Sequence, residues 1–195
     1  MVGTLKITNL LGSEMVEKNH QDFPLLAGLK RGERSIQTTC YKEYYGRMMA
    51  VVLRYTSSRE DAKEIINSSF LNAFKSVHNY SGSGSFEGWL RTIVKRAAID
   101  HCRKYVYNKA PQHEILEFDA SVYNDAISQL QADDFLKLID QVPPASRAVF
   151  NLFAIEGYGH REISETLGIS EGTSKWHLSN ARKKLVHIIK LENLG

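Results

Sequence analysis

From Phe23 onward, apolar side chains recur at intervals of three and four, the period of an amphipathic helix and not the alternation of a strand. The pattern predicts a short helix from Phe23 to Lys30, stopped at Gly32, and a long one over about Ser35 to Tyr55. The long helix carries Tyr41, Tyr45, Met48, Met49, Val52 and Leu53 as its apolar positions. The turn TSSRED offers N-cap residues for a third helix running to about Val77, with Ala62, Ile66, Phe70, Ala73, Phe74 and Val77 as its stripe. Glycine and serine make NYSGSGS a loop. A fourth helix follows from about Phe86 to Lys104, with Phe86, Trp89, Leu90, Ile93, Val94 and Ala97 on one face. Residues 1–22 show no sustained period and read as a flexible lead-in.

Residues 105–132 break the pattern and read as a linker, with helix resuming in one place near Tyr123. Between Gln112 and Asp134 stand six acids (Glu114, Glu117, Asp119, Asp125, Asp133 and Asp134) and no Lys or Arg. Helical pattern returns over Phe135 to Gln141, halts at Pro143-Pro144, restarts at Ala145 and runs to Gly157. No hairpin signal interrupts it. The expected fold class is all-α: two small helical domains, residues 23–104 and 133–195, joined by a flexible acidic linker.

The second domain ends in the signature of a helix-turn-helix, from His160 to Ser179. Ile163 and Leu167 pack its first helix, Gly168 supplies a left-handed turn, Ile169 fills the corner and Ser170 caps the second helix. Projected at about 100° per residue, the second helix sends Leu178, Ala181, Leu185 and Ile188 to the core. Gly172, Trp176, Ser179, Asn180 and Lys183 fall opposite. From Gly172 to Lys190 there are five Lys or Arg and no acid. A major groove admits such a helix, with its N-terminal residues at base edges and its cations on phosphates. A solvated helix end accounts for Lys190 by the helix dipole, but not for a tryptophan on the polar side.

The helix from Phe86 carries Thr92, Lys95, Arg96 and Arg103 away from its apolar stripe. Cations that track a backbone beside aromatics such as Tyr80 and Phe86 suit single-stranded nucleic acid. Core packing accounts equally for Phe86 and better for Trp89, which lie on the stripe. Composition narrows the rest. With 43% hydrophobic and 24% charged residues the chain is globular, and a net charge of +3 permits a nucleic-acid partner without demanding one. Cys40 and Cys102 stand in no metal spacing, and His20, His78, His101 and His113 form no ligand set, so neither metal nor cofactor is expected. No nucleophile elbow or phosphate loop points to an enzyme or a small-molecule substrate. The N-terminus lacks a signal-peptide pattern and the longest apolar run, Met48 to Leu53, is far short of a membrane span, so the expected location is the cytoplasm.

The stretch YKEYYGRMMAVVLRYTSSREDAKEIINSSFLNAFKSVHNYSGSGSFEGWLRTIVKRAAIDHCRK resembles the first conserved domain of extracytoplasmic-function sigma factors of bacterial RNA polymerase. VPPASRAVFNLFAIEGYGHREISETLGISEGTSKWHLSNARKKL resembles their second, and the two occur in family order. The resemblance implies a factor that brings core RNA polymerase to promoter DNA and helps open it. It implies that Asp61, Ala62, Glu64, Phe70, Leu71 and Phe74 dock on the clamp of the largest polymerase subunit, with Asn67 among the polar groups left for it. It implies that Tyr80 to Arg103, through Tyr80, Phe86, Thr92, Lys95, Arg96 and Arg103, opens and reads the minus-ten element. The resemblance implies that the minus-thirty-five element falls to Gly172, Thr173, Lys175, Trp176, Ser179, Asn180, Arg182 and Lys183, and that the acidic linker threads into polymerase, although a solvated tether accounts for its acids nearly as well. A separate regulator, an anti-sigma factor of the membrane-bound kind or another, is a further implication.

Departures from the family pattern bear on specificity. Asn67 and Ser68 stand where glutamine and an acid are usual, and Arg96 where asparagine is common. Ser174 replaces valine, Trp176-His177 replaces Ser-Arg, and Asn180 replaces arginine, so the promoter sequence does not carry over. The alternative is a stand-alone helix-turn-helix activator or repressor, which leaves the DAKEIINSSFLNAF and FEGWL helices without a task.

Overall fold

A computed structural model describes residues 22–106 and 132–192. The expectations for the lead-in up to residue 21, and for residues 107–131 of the linker, lie outside the described residues. Among the described residues eight α-helices follow in order: α1 Asp22–Lys30, α2 Arg34–Val52, α3 Arg59–Ser76, α4 Phe86–Val106, α5 Ala132–Asp140, α6 Pro144–Phe150, α7 His160–Leu167 and α8 Glu171–Glu192. A 3₁₀ turn, Val77–Asn79, follows α3, and a π-helical turn, Asn151–Ile155, extends α6. No strand occurs among the described residues. Helix thus claims residues at both ends of the expected linker. The chain divides into two compact units within α4, between Ala98 and Ile99, ahead of the boundary expected at residue 104.

In the first unit α2 ends at Val52 instead of Tyr55, where the chain tightens into a turn with the Tyr55 N–H donating to the Val52 carbonyl three residues back. Its buried face is Cys40, Tyr44, Met48, Val51 and Val52. Tyr41, Tyr45, Met49 and Leu53, expected on the core stripe, are half-buried, so the true face is turned from the expected one. Ser58 caps α3 by accepting the Asp61 N–H at 3.1 Å, and Ala62, Ile65, Ile66, Ser69, Phe70 and Ala73 face inward. Gly82 and Gly84 take φ of 81° and 78° in the loop before α4, a conformation that side-chain-bearing residues rarely adopt. That loop returns Tyr80 over the start of α4, where its hydroxyl donates to the Gly84 carbonyl at 2.7 Å.

In the second unit Pro143 precedes α6 and Pro144 opens it, a position where a missing N–H costs nothing. Arg147, 1% exposed, closes the turn between α5 and α6 by donating to the Asp140 carboxylate at 3.0 Å and to the Asp140 and Val142 carbonyls. Burial lowers its pKa while Asp140 raises it, and the satisfied guanidinium holds the helix ends together. The fold then enters the helix-turn-helix.

Candidate nucleic-acid and polymerase interfaces

α7 begins where the Gly159 N–H donates to the Glu162 carboxylate at 2.8 Å. It ends at Gly168 with φ 71° and ψ 36°, where the N–H groups of Gly168 and Ile169 both return to the Ser164 carbonyl. Ser170 Oγ accepts the Thr173 N–H at 3.0 Å and pairs with the Thr173 hydroxyl at 2.9 Å, which starts α8. Ile163, Leu167, Leu178, Ala181, Leu185 and Ile188 are buried between α6, α7 and α8.

On α8, Glu171, Gly172, Lys175 and Lys184 are exposed, and Thr173, Trp176, Ser179, Arg182 and Lys183 are half-buried. Trp176 lies edge-on to the His177 ring, centroids 4.9 Å apart. Two of these side chains are engaged within the unit. Asn180 does not stand free on the outer side: its amide donates to Ser146 Oγ of α6 at 2.9 Å, because its place on the helix borders the core stripe. Arg182 is drawn over the Phe153 ring, 5.5 Å from the centroid.

Sequence reasoning missed the histidines. His177 is 3% exposed, with Nδ1 hydrogen-bonded to Ser146 Oγ at 3.0 Å, and burial pulls its pKa down to about 4. His160 stacks on Phe153 at 4.9 Å and its Nδ1 pairs with the buried Ser174 hydroxyl at 2.9 Å. Burial lowers the His160 pKa, and Lys175 and Arg182 push it the same way. The available signal was the placement of His177 and Ser174 beside Leu178 and Ala181 on the helical projection.

Two further faces lie on α3 and α4. On α3, Glu64, Asn67 and Leu71 are exposed, Leu71 by 60%, while Asp61 and Phe74 are half-buried. Phe70 is 1% exposed and belongs to the core, which corrects its assignment to the polymerase contact. It packs between Tyr41 and Phe74, ring centroids 4.8 and 5.9 Å away, and its burial contributes about 2 kcal/mol of stability. The Tyr41 hydroxyl donates to Asn67 Oδ1 at 2.9 Å, so Tyr41 orients an outer-face polar group. Burial, and then Tyr45, raise the Tyr41 pKa and keep that donor protonated.

On α4 the aromatics are corrected too. Phe86 and Tyr80 are buried and form one cluster with Tyr44 and Trp89, so neither ring face is open to a base in this structure. They instead anchor the entry to α4, with the Arg47–Glu87 ion pair at 2.6 Å. Thr92 and Arg96 are exposed and Lys95 is half-buried. Arg103 is exposed and paired with Asp100 at 2.8 Å. Among the described residues no His, Cys, Asp or Glu cluster could hold a metal, and no helix is long and apolar enough to cross a membrane.

Two helical units, the second carrying a capped helix-turn-helix with a basic outer side, give the architecture of a DNA-binding protein. Residues 40–106 match the family Sigma-70 region 2, and residues 132–185 match Sigma-70, region 4. The ECF RNA polymerase sigma factor SigE of Mycolicibacterium smegmatis is 29% identical over 154 residues, covering 74% of this chain and 58% of that protein. The ECF RNA polymerase sigma-E factor of Haemophilus influenzae is 22% identical, covering 87% and 95%. RNA polymerase sigma factor SigV of Bacillus subtilis is 24% identical, covering 85% and 98%. Among solved structures, CnrH in complex with the cytosolic domain of CnrY is similar at a TM-score of 0.45 and 16% identity, over 88% of this chain and 98% of that one. The chain belongs to the extracytoplasmic-function sigma factors of the sigma-70 family, transcription initiation factors that direct RNA polymerase to promoters.

Proposed function

We propose that this chain recruits core RNA polymerase through the outer face of α3, engages the minus-ten region through α4, and reads the minus-thirty-five element through the N-terminal half of α8. The single observation that supports this best is the joint presence of an exposed Leu71 among Glu64 and Asn67 on α3 and a groove-sized basic helix capped at Ser170. A large exposed leucine flanked by polar groups suits a protein partner. A stand-alone regulator accounts for α8 but gives α3 no use for that face.

In this reading Asp61, Glu64, Asn67, Leu71 and Phe74 meet polymerase, with Phe70 supporting them from behind. Thr92, Lys95, Arg96 and Arg103 follow the DNA strand around the minus-ten element, and Tyr80 and Phe86 shape the helix entry they depend on. Catalysis resides in polymerase and not in this chain, which works in the cytoplasm. An anti-sigma factor that covers the α3 or α8 face would hold it inactive.

The test is assembly with core polymerase, followed by transcription from genomic promoter fragments. Glu64→Lys with Leu71→Glu should weaken core binding at least about tenfold, the scale of losing a central contact, with helical content unchanged. Undiminished assembly of that double variant would remove α3 from the interface. Tight, site-specific duplex binding by the chain without polymerase would favour the stand-alone regulator.

A further inference from the structure

Three hydroxyl, imidazole and amide groups meet where α8 crosses α6. Ser146 on α6 is 1% exposed and its Oγ accepts from the Asn180 amide at 2.9 Å. The same Oγ lies 3.0 Å from His177 Nδ1. Ser146 Oγ has lone pairs for both neighbours, so it accepts from Asn180 and bonds Nδ1 in either neutral tautomer of the ring. Nε2 is buried and meets no hydrogen-bond partner among the described residues. An apolar side chain would pack there without that desolvation cost. What the imidazole adds is direction: a hydrogen bond fixes a rotation about the helix axis, whereas apolar contact lets a helix roll between nearby settings. One turn earlier, buried Ser174 is held by His160 of α7 at 2.9 Å. The recognition helix is thus gripped at Ser174, His177 and Asn180, three residues apart, by two different helices.

We propose that Ser146, His177 and Asn180 are positioning residues that set the rotation of α8 in the groove, so that promoter specificity is decided by Lys175, Trp176 and Ser179 while Asn180 touches no base. This rests on the reading of α8 as the minus-thirty-five helix. It predicts that a serine on α6, away from the groove-facing side, governs base preference.

The test uses the full chain with core polymerase and a promoter library randomised at the minus-thirty-five element. Ser146→Ala and Asn180→Ala should change the ranking of favoured bases by about tenfold, the scale of one mismatched pair. Both should do so at the same positions, and the double variant should go no further than the larger single, as members of one network do. Relaxation by Asn180→Ala at one position, with Ser146→Ala unchanged from wild type, would mean that Asn180 reads a base and would overturn the inference. A wild-type selection that returns no element would overturn the recognition-helix reading and the inference with it. Should the variants melt, nitrogen-15 NMR of the wild-type ring decides. The inference requires a ring held in one neutral tautomer by the Ser146 bond, which does not titrate until pH approaches about 4. A ring that exchanges tautomers or titrates near the usual value of about 6.5 would sink it.

Discussion

His177 shows how one buried side chain couples stability to pH. Its folded pKa, about 4, lies below the ordinary histidine value because burial disfavours the charged ring. Above about pH 6.5 the ring is neutral in both folded and unfolded chains and contributes no pH dependence. As pH falls below that value the unfolded chain takes up a proton that the folded chain refuses, so stability falls until pH reaches about 4. The loss attributable to His177 approaches about 3 kcal/mol across that window. Urea unfolding of the chain at pH 7 and pH 5 should show it, and His177→Gln should flatten the difference. Equal slopes for the two proteins would assign the acid sensitivity elsewhere.

Trp176 presents a different case at the same scale. Half-buried and edge-on to His177, it has a large apolar surface and one N–H donor. Such a side chain suits a thymine methyl better than guanine, which calls for a bidentate fork. Trp176→Ala should relax preference at one or two adjacent positions by about 1–3 kcal/mol and leave polymerase affinity intact. Lys183→Ala should weaken binding evenly across sequences, as a phosphate contact does. A library selection paired with thermal melts separates these outcomes. A several-degree fall in Tm for Trp176→Ala, with base preference spared, would make the tryptophan a packing residue.

At the level of helices and turns, the helix-turn-helix depends on one backbone conformation. Gly168 has φ 71°, with open space where a Cβ would stand, so substitution there costs backbone strain and not a clash. Gly168→Ala should destabilise the second unit by about 1–2 kcal/mol, measurable by denaturant unfolding, without creating overlap. The other cap is Ser170, whose Oγ holds the Thr173 N–H. Thr173, assigned to DNA from sequence, therefore shares its hydroxyl with the cap. The helices themselves were largely readable along the chain. Leu178, Ala181, Leu185 and Ile188 were expected in the core and are buried, because a 22-residue helix carries its stripe through several turns. On α2 the stripe was misjudged. Tyr41 and Tyr45 are as apolar to a pattern as Cys40 and Tyr44, and only the helices packed against it decide which pair turns inward.

For the molecule as a whole, binding is set by how its cations are distributed and not by the net charge of +3. Lys95 and Arg96 sit on the outer side of α4, and the basic residues of α8 sit on the other unit. Neutralising Lys95 and Arg96 should slow open-complex formation more than initial recruitment. It should also flatten the dependence of binding on salt by about 0.7–0.9 per lost phosphate contact. Permanganate reactivity of thymines near the start site, with binding measured across a salt series, tests both. Unchanged reactivity would detach α4 from strand opening.

Local information decided the all-helical character, the order of the two domains, the Gly168 turn with its Ser170 cap, and the core side of α8. Each depends on residues a few positions apart, within reach of periodicity and capping chemistry. Tertiary packing decided what aromatic and polar side chains do at the edges of those stripes. Phe70, Tyr80 and Phe86 have the composition of a partner surface, yet α2, α3 and the loop ahead of α4 close over them. Asn180 looks like a groove residue along the chain, yet Ser146, more than thirty positions earlier, takes it together with His177. A side chain at the border of a helical stripe can turn either way at similar local cost. Which way it turns is set by the hydrogen-bond partner or apolar wall that another helix brings to it.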